Sequence, residues 1–321
     1  MSSVAQRQVI LGLESTPGDG SVPDVALRAK ASLRPVPDKI AVEEDIGSFA
    51  PSRHYIGSLM AEGELEMDGY YEGASYPIAM AMGAPSTAGV SDPWTHTFSL
   101  PDTTAPTFST YRLEYTDGNN HIVRSDDVFA TELEISGEAG QSWVIKPTLV
   151  GAEVTLPAAL GASLTPLATP TGILMADTTL YIDDLFANIG TTSVGVLISF
   201  TWKLENLQHQ KLFAGSLFPT GRGNNRWQTT LELIVEIDNA TIETQKDDLL
   251  VDGAVNAIRL EAIDSGNADD SIQINGMYYL QDMDTLDDRD GNNIIKLTYV
   301  GQKDSSDNTG SVVVETDLAS L

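Results

Sequence analysis

Residues 57–69, GSLMAEGELEMDG, alternate apolar and acidic side chains with a period of two. One face carries Leu59, Ala61, Gly63, Leu65 and Met67, and the opposite face carries Glu62, Glu64 and Glu66. Such alternation is typical of a β-strand with one buried and one solvated face. We therefore predict a sheet that packs a core on one side and presents carboxylates on the other.

The same alternation recurs in residues 228–238, QTTLELIVEID, where apolar positions oppose Glu232, Glu236 and Asp238. Strand-like patterns also occupy 108–116, 121–124, 128–136, 142–150, 194–205, 271–280, 293–300 and 311–316. Residues 70–82 and 240–252 each follow a strand and end at a glycine, which predicts two short helices. The sequence thus predicts a mainly β fold.

Several motifs occur twice, in the same order. GSFAPSR at 47–53 is repeated as GSLFPTGR at 215–222, EMD at 66–68 as EID at 236–238, and IKPTLVG at 145–151 as IKLTYVG at 295–301. The alternative is chance recurrence of common β-protein dipeptides. Internal repeats indicate a repeated structural unit. We predict two tandem β-barrel or sandwich units, each with one flanking helix, divided as follows: N-terminal arm 1–20, first unit 21–151, linker 152–171, second unit 172–301, and C-terminal strand or arm 302–321.

The net charge is strongly negative, with 46 acidic against 18 basic residues and a formal charge of −28. Such a surface repels the phosphate backbone and excludes tight nucleic-acid binding through counterion release. It is compatible with a protein that DNA passes without adhering, and also with simple solubility. The chain has no cysteine, so it forms no disulfide or thiolate metal site.

Motifs that carry catalysis or metal binding are missing from the sequence. The four histidines lack a ligand spacing, and no serine lies in a G-x-S-x-G turn. Residues 282–293 resemble a calcium loop, but Leu286 and Leu297 fall where an EF-hand needs its first and last ligands. We predict no enzymatic activity, cofactor or metal, with a weak cation site in that acidic loop as the open alternative.

Four segments resemble the siphophage-type major tail tube protein family. They are GLESTPGDGSVP (12–23), YPIAMAMG (76–83), DPWTHTFSLP (92–101) and VFATELEISGEAGQSWVIKPTLVG (128–151). The resemblance implies a structural subunit of the phage tail tube, whose rings stack into a DNA channel. In that family single units each give four strands to a sixfold ring, so a double unit implies three chains per ring, with six as the alternative.

The resemblance also implies residue roles and partners. Glu62, Glu64, Glu66, Glu232, Glu236 and Asp238 would face the lumen, although sequence does not distinguish an inner wet face from an outer one. The repeated loops would contact other subunits through Gly47, Phe49, Pro51, Arg53, Gly215, Phe218, Pro219 and Arg222. Partners would be other copies of the chain, a tape-measure protein, and tail-tip and terminator proteins.

Double-stranded DNA would pass without specific binding. The family also implies a virion protein that assembles in the host bacterial cytoplasm. No apolar run reaches the roughly 18 residues of a transmembrane span, so we expect no membrane contact. Two other classes stay open at this stage. One is a carbohydrate-binding or adhesive β-sandwich module, and the other is a different virion component such as a decoration or terminator protein.

Overall fold

The computed structural model describes residues 8–42, 53–100, 108–116, 121–166, 169–195, 197–205, 208–237, 255–289, 292–303, 309–319 and 321. Within these ranges the chain forms one α-helix, α1 (Tyr71–Met82), and strands β1 (Gln8–Leu13), β2 (Val25–Leu27), β3 (Lys30–Ala41), β4 (His54–Asp68), β5 (Ser86–Ala88), β6 (Trp94–Ser99), β7 (Tyr111–Thr116), β8 (Ile122–Glu138), β9 (Val144–Gly151), β10 (Val154–Thr155), β11 (Thr178–Asp183), β12 (Ser193–Val194), β13 (Leu197–Glu205), β14 (Gln208–Lys211), β15 (Gly221–Asn224), β16 (Gln228–Glu236), β17 (Val255–Ile263), β18 (Ser271–Arg289), β19 (Asn292–Gly301) and β20 (Gly310–Thr316).

Eight long antiparallel strands form one continuous sheet, in the order β3-β4-β9-β8-β13-β16-β19-β18. The first four strands come from the N-terminal half of the chain and the last four from the C-terminal half. The alternation in the sequence explains the sheet, because Leu65, Ile135, Trp202 and Leu233 are all buried on its core side.

Shorter strands form an outer layer over the core side of this sheet. In the first half β1 lies between β2 and β7, β7 pairs with the N-terminal part of β8, and β10 pairs with that part of β8 as well. In the second half β11 lies between β12 and β17, β17 pairs with the N-terminal part of β18, and so does β20. Most of the buried apolar residues of both layers belong to one cluster.

The two halves pair at two places, β6 with β20 in the outer layer and β8 with β13 in the eight-stranded sheet. In the eight-stranded sheet the contact is close. Ile135 lies opposite Trp202, and Gly137 lies opposite Phe200. A Cβ atom on Gly137 would come within 2.7 Å of the Phe200 ring, so glycine is required for this close approach. The Phe200 ring also packs edge-to-face against Trp143, with 4.8 Å between ring centroids.

Helix α1 is buried along nearly its whole length, which agrees with its almost entirely apolar sequence. It contacts β8 and β9 of the first half together with β6 and β20. It ends at Gly83, whose φ of 90° is in the left-handed region and whose N–H donates to the carbonyl of Ala79. The predicted helix at 70–82 is confirmed, whereas 240–252 lies outside the described residues.

The mainly β fold class is confirmed, but the predicted barrel is wrong for the described strands of a single chain. A closed barrel needs its first and last strands to pair. Here β3 pairs with β4 alone, and β18 beyond Tyr279 pairs with β19 alone. The division into two units, arms and linker stays a prediction.

Two segments predicted as separate strands, 121–124 and 128–136, form the single strand β8. The polar residues Ser125, Asp126 and Asp127 lie between them and suggested an interruption. Asp127 has a φ of 54°, and the pairing of β8 with β7 shifts register at this point. The irregularity lets β8 pass from the outer layer into the eight-stranded sheet without ending.

Candidate functional site: an acidic sheet face

The polar face of the eight-stranded sheet gathers charged side chains from both halves of the chain. They alternate with the buried residues of each strand. The carboxylates outnumber the cations, which makes the face acidic as a whole. The carboxylates are Glu62, Glu64, Glu66, Glu132, Glu134, Glu138, Glu205, Glu232, Glu236, Asp282 and Asp284, and the cations are Lys30, Arg34, Lys146, Lys203 and Lys296.

Four lysines on this face form ion pairs with glutamates of neighbouring strands. The pairs are Lys30–Glu66 at 3.2 Å, Lys146–Glu64 at 2.8 Å, Lys203–Glu134 at 3.0 Å and Lys296–Glu232 at 3.0 Å. Lys146 donates a hydrogen bond to Glu64 and Lys203 donates one to Glu134, and each hydrogen bond raises the pKa of its lysine. Exposed pairs of this kind contribute at most about 1 kcal/mol each to stability. Their main effect is to fix charge positions across the sheet.

The predicted lumen residues on β4 and β16 share this face, although three strands separate β4 from β16. Glu62, Glu64 and Glu66 lie on β4, and Glu232 and Glu236 lie on β16. Asp238 lies outside the described residues. Their orientation toward a lumen stays a prediction, since it depends on other copies of the chain.

The second repeated loop contacts the first half of its own chain. The Leu59 N–H donates to the carbonyl of Leu217 at 2.9 Å, and the Arg222 guanidinium lies 5.5 Å from the centroid of the Phe129 ring. Gly215 is exposed with a φ of 95°, Phe218 is half-buried and Pro219 is buried.

The first repeated loop is largely beyond the described ranges, which exclude Gly47, Phe49 and Pro51. Arg53 is exposed and lies over the Tyr55 ring at 5.5 Å. The predicted role of both loops in contacts between subunits stays a prediction.

Arg222 also approaches the buried carboxylate of Asp127, at the corner of β8, which in turn contacts buried Glu14. Its Nε atom lies 3.7 Å from Oδ1 of Asp127. The Asp127 N–H donates to both carboxylate oxygens of Glu14 at 3.2 Å. The pKa of Asp127 is raised to about 6, chiefly because the carboxyl is buried; Arg222 opposes the rise and Glu14 adds to it. The corner that joins the outer layer to the sheet is therefore sensitive to pH.

We expect the Asp127 carboxyl to make the protein less stable as the pH rises from 4 to 7. The pKa of Asp127 is higher in the folded chain than the usual value near 4, so the folded chain binds the proton more tightly. Between the two pKa values, stability therefore falls as pH rises. Relative to Asp127→Asn, the wild-type free energy of unfolding should fall by about 2–3 kcal/mol across this range. Urea denaturation of both proteins at pH 4, 5, 6 and 7 measures the difference, and parallel curves would refute it.

Sequence reasoning missed the lysines that pair across this face. Lys146 and Lys296 each stand in an otherwise apolar IK motif, and this repeated position was the signal available. The sequence alone does not say which strands are neighbours, so it does not reveal which lysine lies near which glutamate.

One histidine, His96, is fully buried in the fold. Both ring nitrogens of buried His96 have hydrogen-bond partners, at Thr87 and at the carbonyl of Leu318. Within the ranges given above, no three or more histidine or acidic side chains are grouped so as to hold a metal ion. Likewise, none of the helices described combines the length and apolarity needed to span a bilayer.

A family model described as phage tail tube protein matches residues 5–315, nearly the whole chain. A search of curated proteins found no match.

Proposed function

The chain belongs to the phage tail tube protein family, and from that premise we propose that it polymerises into stacked rings whose common bore conducts DNA. The family is structural rather than enzymatic, and membership implies self-assembly into a tube and a place in the virion. The observation that carries the proposal is the continuous eight-stranded sheet with one acidic face and two open edges.

We infer that each chain contains two copies of one tube unit. The strand order supports this inference, since β3-β4-β9-β8 in the first half matches β13-β16-β19-β18 in the second. The outer layers match as well, with β1, β2, β7 and β10 corresponding to β11, β12, β17 and β20.

Residue-level pairing supports the duplication further. Glu64 lies opposite Thr148, and Glu232 lies opposite Thr298. Thr148 and Thr298 occupy the same position in the two copies of the IK motif. The ion pairs Lys146–Glu64 and Lys296–Glu232 join the corresponding strands of each half. Glu64 therefore corresponds to Glu232. These two residues are 168 positions apart, which is also the spacing between Gly47 and Gly215. This alignment differs by two residues from that of the EMD and EID motifs.

Three chains would complete one ring. Each chain supplies eight neighbouring strands and leaves an unpaired edge at either end, so copies joined edge to edge close the sheet into a cylinder. Closure removes the exposed edges that otherwise favour uncontrolled aggregation. A ring of six chains is the other outcome of the test.

The acidic face is expected to line the bore. The core side of the sheet is covered by α1 and the outer strands. This additional layer takes up space, so it fits on the outer side of the ring, where the circumference is larger than on the inner side. Carboxylates facing the bore repel DNA phosphates and keep the passing duplex from adhering. The four lysine pairs moderate the repulsion without reversing its sign.

The remaining partners are proposed from the family alone. The tube would grow around a tape-measure protein, between a tail-tip complex and a terminator, in the cytoplasm of the host bacterium. Electron microscopy of the purified protein tests the function. We expect rings or tubes with a central hole, whereas a protein that stays monomeric under conditions of high concentration and salt would contradict the proposal.

A further inference from the structure

We propose that β3 of one chain pairs with β18 of the next, in the register that β13 and β8 adopt within the chain, so that Arg34 lies opposite Asp284. This inference rests on the proposed assembly into rings. It names the junction between copies, for which the junction within the chain serves as the template.

Both edges of the proposed junction are available in the single chain. Among the described strands, β3 pairs with β4 on one side only. Residues Leu280–Arg289 of β18 pair with β19 on one side only. In contrast, residues Leu133–Ser136 of β8 pair with both β13 and β9. The strands alternate in direction across the sheet, so β18 and the β3 of a second copy would meet antiparallel, as β8 and β13 do.

The register follows from the neighbours of each strand. Ser32 of β3 lies opposite Glu64, and Thr201 of β13 lies opposite Glu232. Because Glu64 corresponds to Glu232, Ser32 corresponds to Thr201, and two residues further along Arg34 corresponds to Lys203.

The other side of the junction is aligned in the same way. Glu134 of β8 lies opposite Lys146, and Asp284 of β18 lies opposite Lys296. Glu134 therefore corresponds to Asp284. Within the chain Lys203 lies opposite Glu134, and their side chains are 3.0 Å apart. The pair between chains that occupies the same position is Arg34 with Asp284.

The charges of the two edges are complementary. Arg34 and Lys30 are exposed on β3, whereas Asp282 and Asp284 are exposed on β18. Opposite charges directly across two strands stabilise their pairing, and like charges destabilise it. Two β3 edges or two β18 edges would bring like charges together, so the charges favour the head-to-tail pairing that closes a ring.

The β3 edge is partly protected before assembly. Pro35 and Pro37 lack an N–H and offer no donor to a passing strand. The Tyr115 hydroxyl lies 3.0 Å from the N–H and 3.1 Å from the carbonyl of Leu33, the residue that corresponds to Trp202. Trp202 lies opposite Ile135 at the junction within the chain. In the ring, the backbone of the neighbouring β18 therefore takes over the hydrogen bonds that the Tyr115 hydroxyl makes to Leu33. Tyr115→Phe removes these hydrogen bonds in advance and should speed assembly.

Engineered cysteines test the register directly, since the chain contains none of its own. Arg34→Cys and Asp284→Cys proteins are mixed, assembled into tubes and oxidised. We expect a disulfide-linked dimer from the mixture and no cross-link from either protein alone. The double variant Lys203→Cys/Glu134→Cys is the matched control, because it should form the equivalent disulfide inside one chain.

The outcomes separate this inference from the proposed function. Tubes that form normally from the mixture but give no cross-link would overturn the junction and leave the tube function in place. Failure of the wild-type chain to form rings or tubes would instead overturn the function on which the junction rests.

Charge exchange provides a second measurement if the cysteine proteins do not assemble. Arg34→Asp and Asp284→Arg should each reduce the yield of tubes by at least about tenfold, because like charges then meet at every junction. The double variant should recover most of the wild-type yield. Recovery no better than in the single variants, with each chain folded by circular dichroism, would overturn the proposed pair.

Discussion

Trp143→Ala should lower the free energy of unfolding by about 3–5 kcal/mol, the usual cost of removing a fully buried tryptophan side chain. Trp143 has no exposed surface and lies where the two halves of the chain meet. Its ring packs against Phe200 of β13, and its Nε1–H donates to the Thr178 hydroxyl at 2.9 Å. The substitution leaves a cavity next to both groups, so it weakens the contact between the halves as well as the core.

Chemical denaturation measures the effect, with Trp94→Ala as the control. Trp94 is half-buried on β6, which pairs with β20 rather than with β8 or β13, and its loss should cost clearly less. Trp143→Phe should retain part of the stability because it preserves an aromatic ring beside Phe200. An average substitution costs about 1 kcal/mol. A smaller loss for Trp143→Ala would show that the contact between the two halves does not depend on this residue.

Reversing charges on the acidic face should slow DNA passage while tubes still assemble. Glu62 and Glu132 lie on this face and belong to none of the four lysine pairs described above. Glu62→Lys/Glu132→Lys therefore adds positive charge without breaking those pairs. Every chain in the tube would carry both lysines, and the DNA would meet them at each ring. We expect ejection at least about tenfold slower, since only 1.4 kcal/mol of added attraction gives that factor.

The salt dependence of ejection distinguishes this effect from misassembly. Attraction between lysines and phosphates weakens as salt rises from about 50 to 200 mM, so the defect should shrink over that range. The matched control is Glu153→Lys/Asp269→Lys, which makes the same charge change at exposed turns away from the sheet face. Equal ejection rates for the two variants would contradict the assignment of this face to the bore.

The sequence predicted the strands whose two faces differ in polarity. In 57–69 and 228–238, buried leucines alternate with glutamates, and β4 and β16 have the predicted faces. Strand β3 was missed because Pro35 and Pro37 suggest a break, yet prolines are tolerated on a sheet edge. Strand β17, VNAIRLEAI, followed a segment predicted to be helical and had no turn signal of its own.

The neighbours of each strand could not be predicted from the sequence. Pairing of β8 with β13 joins residues about 65 apart, and it depends on Gly137 leaving room for Phe200. For the same reason the lysine pairs were missed, since Lys146 of β9 meets Glu64 only after β9 is paired with β4. That the described strands of one chain do not close into a barrel also follows from these pairings rather than from any local pattern.

The mass of a single ring released from assembled tubes measures how many chains close the cylinder. Because each chain supplies eight neighbouring strands, we predict a ring of three chains. Native mass spectrometry should give three times the 34.4 kDa mass of one chain. A ring of six chains would contradict it, because each chain would then contribute only half of its eight strands to the wall.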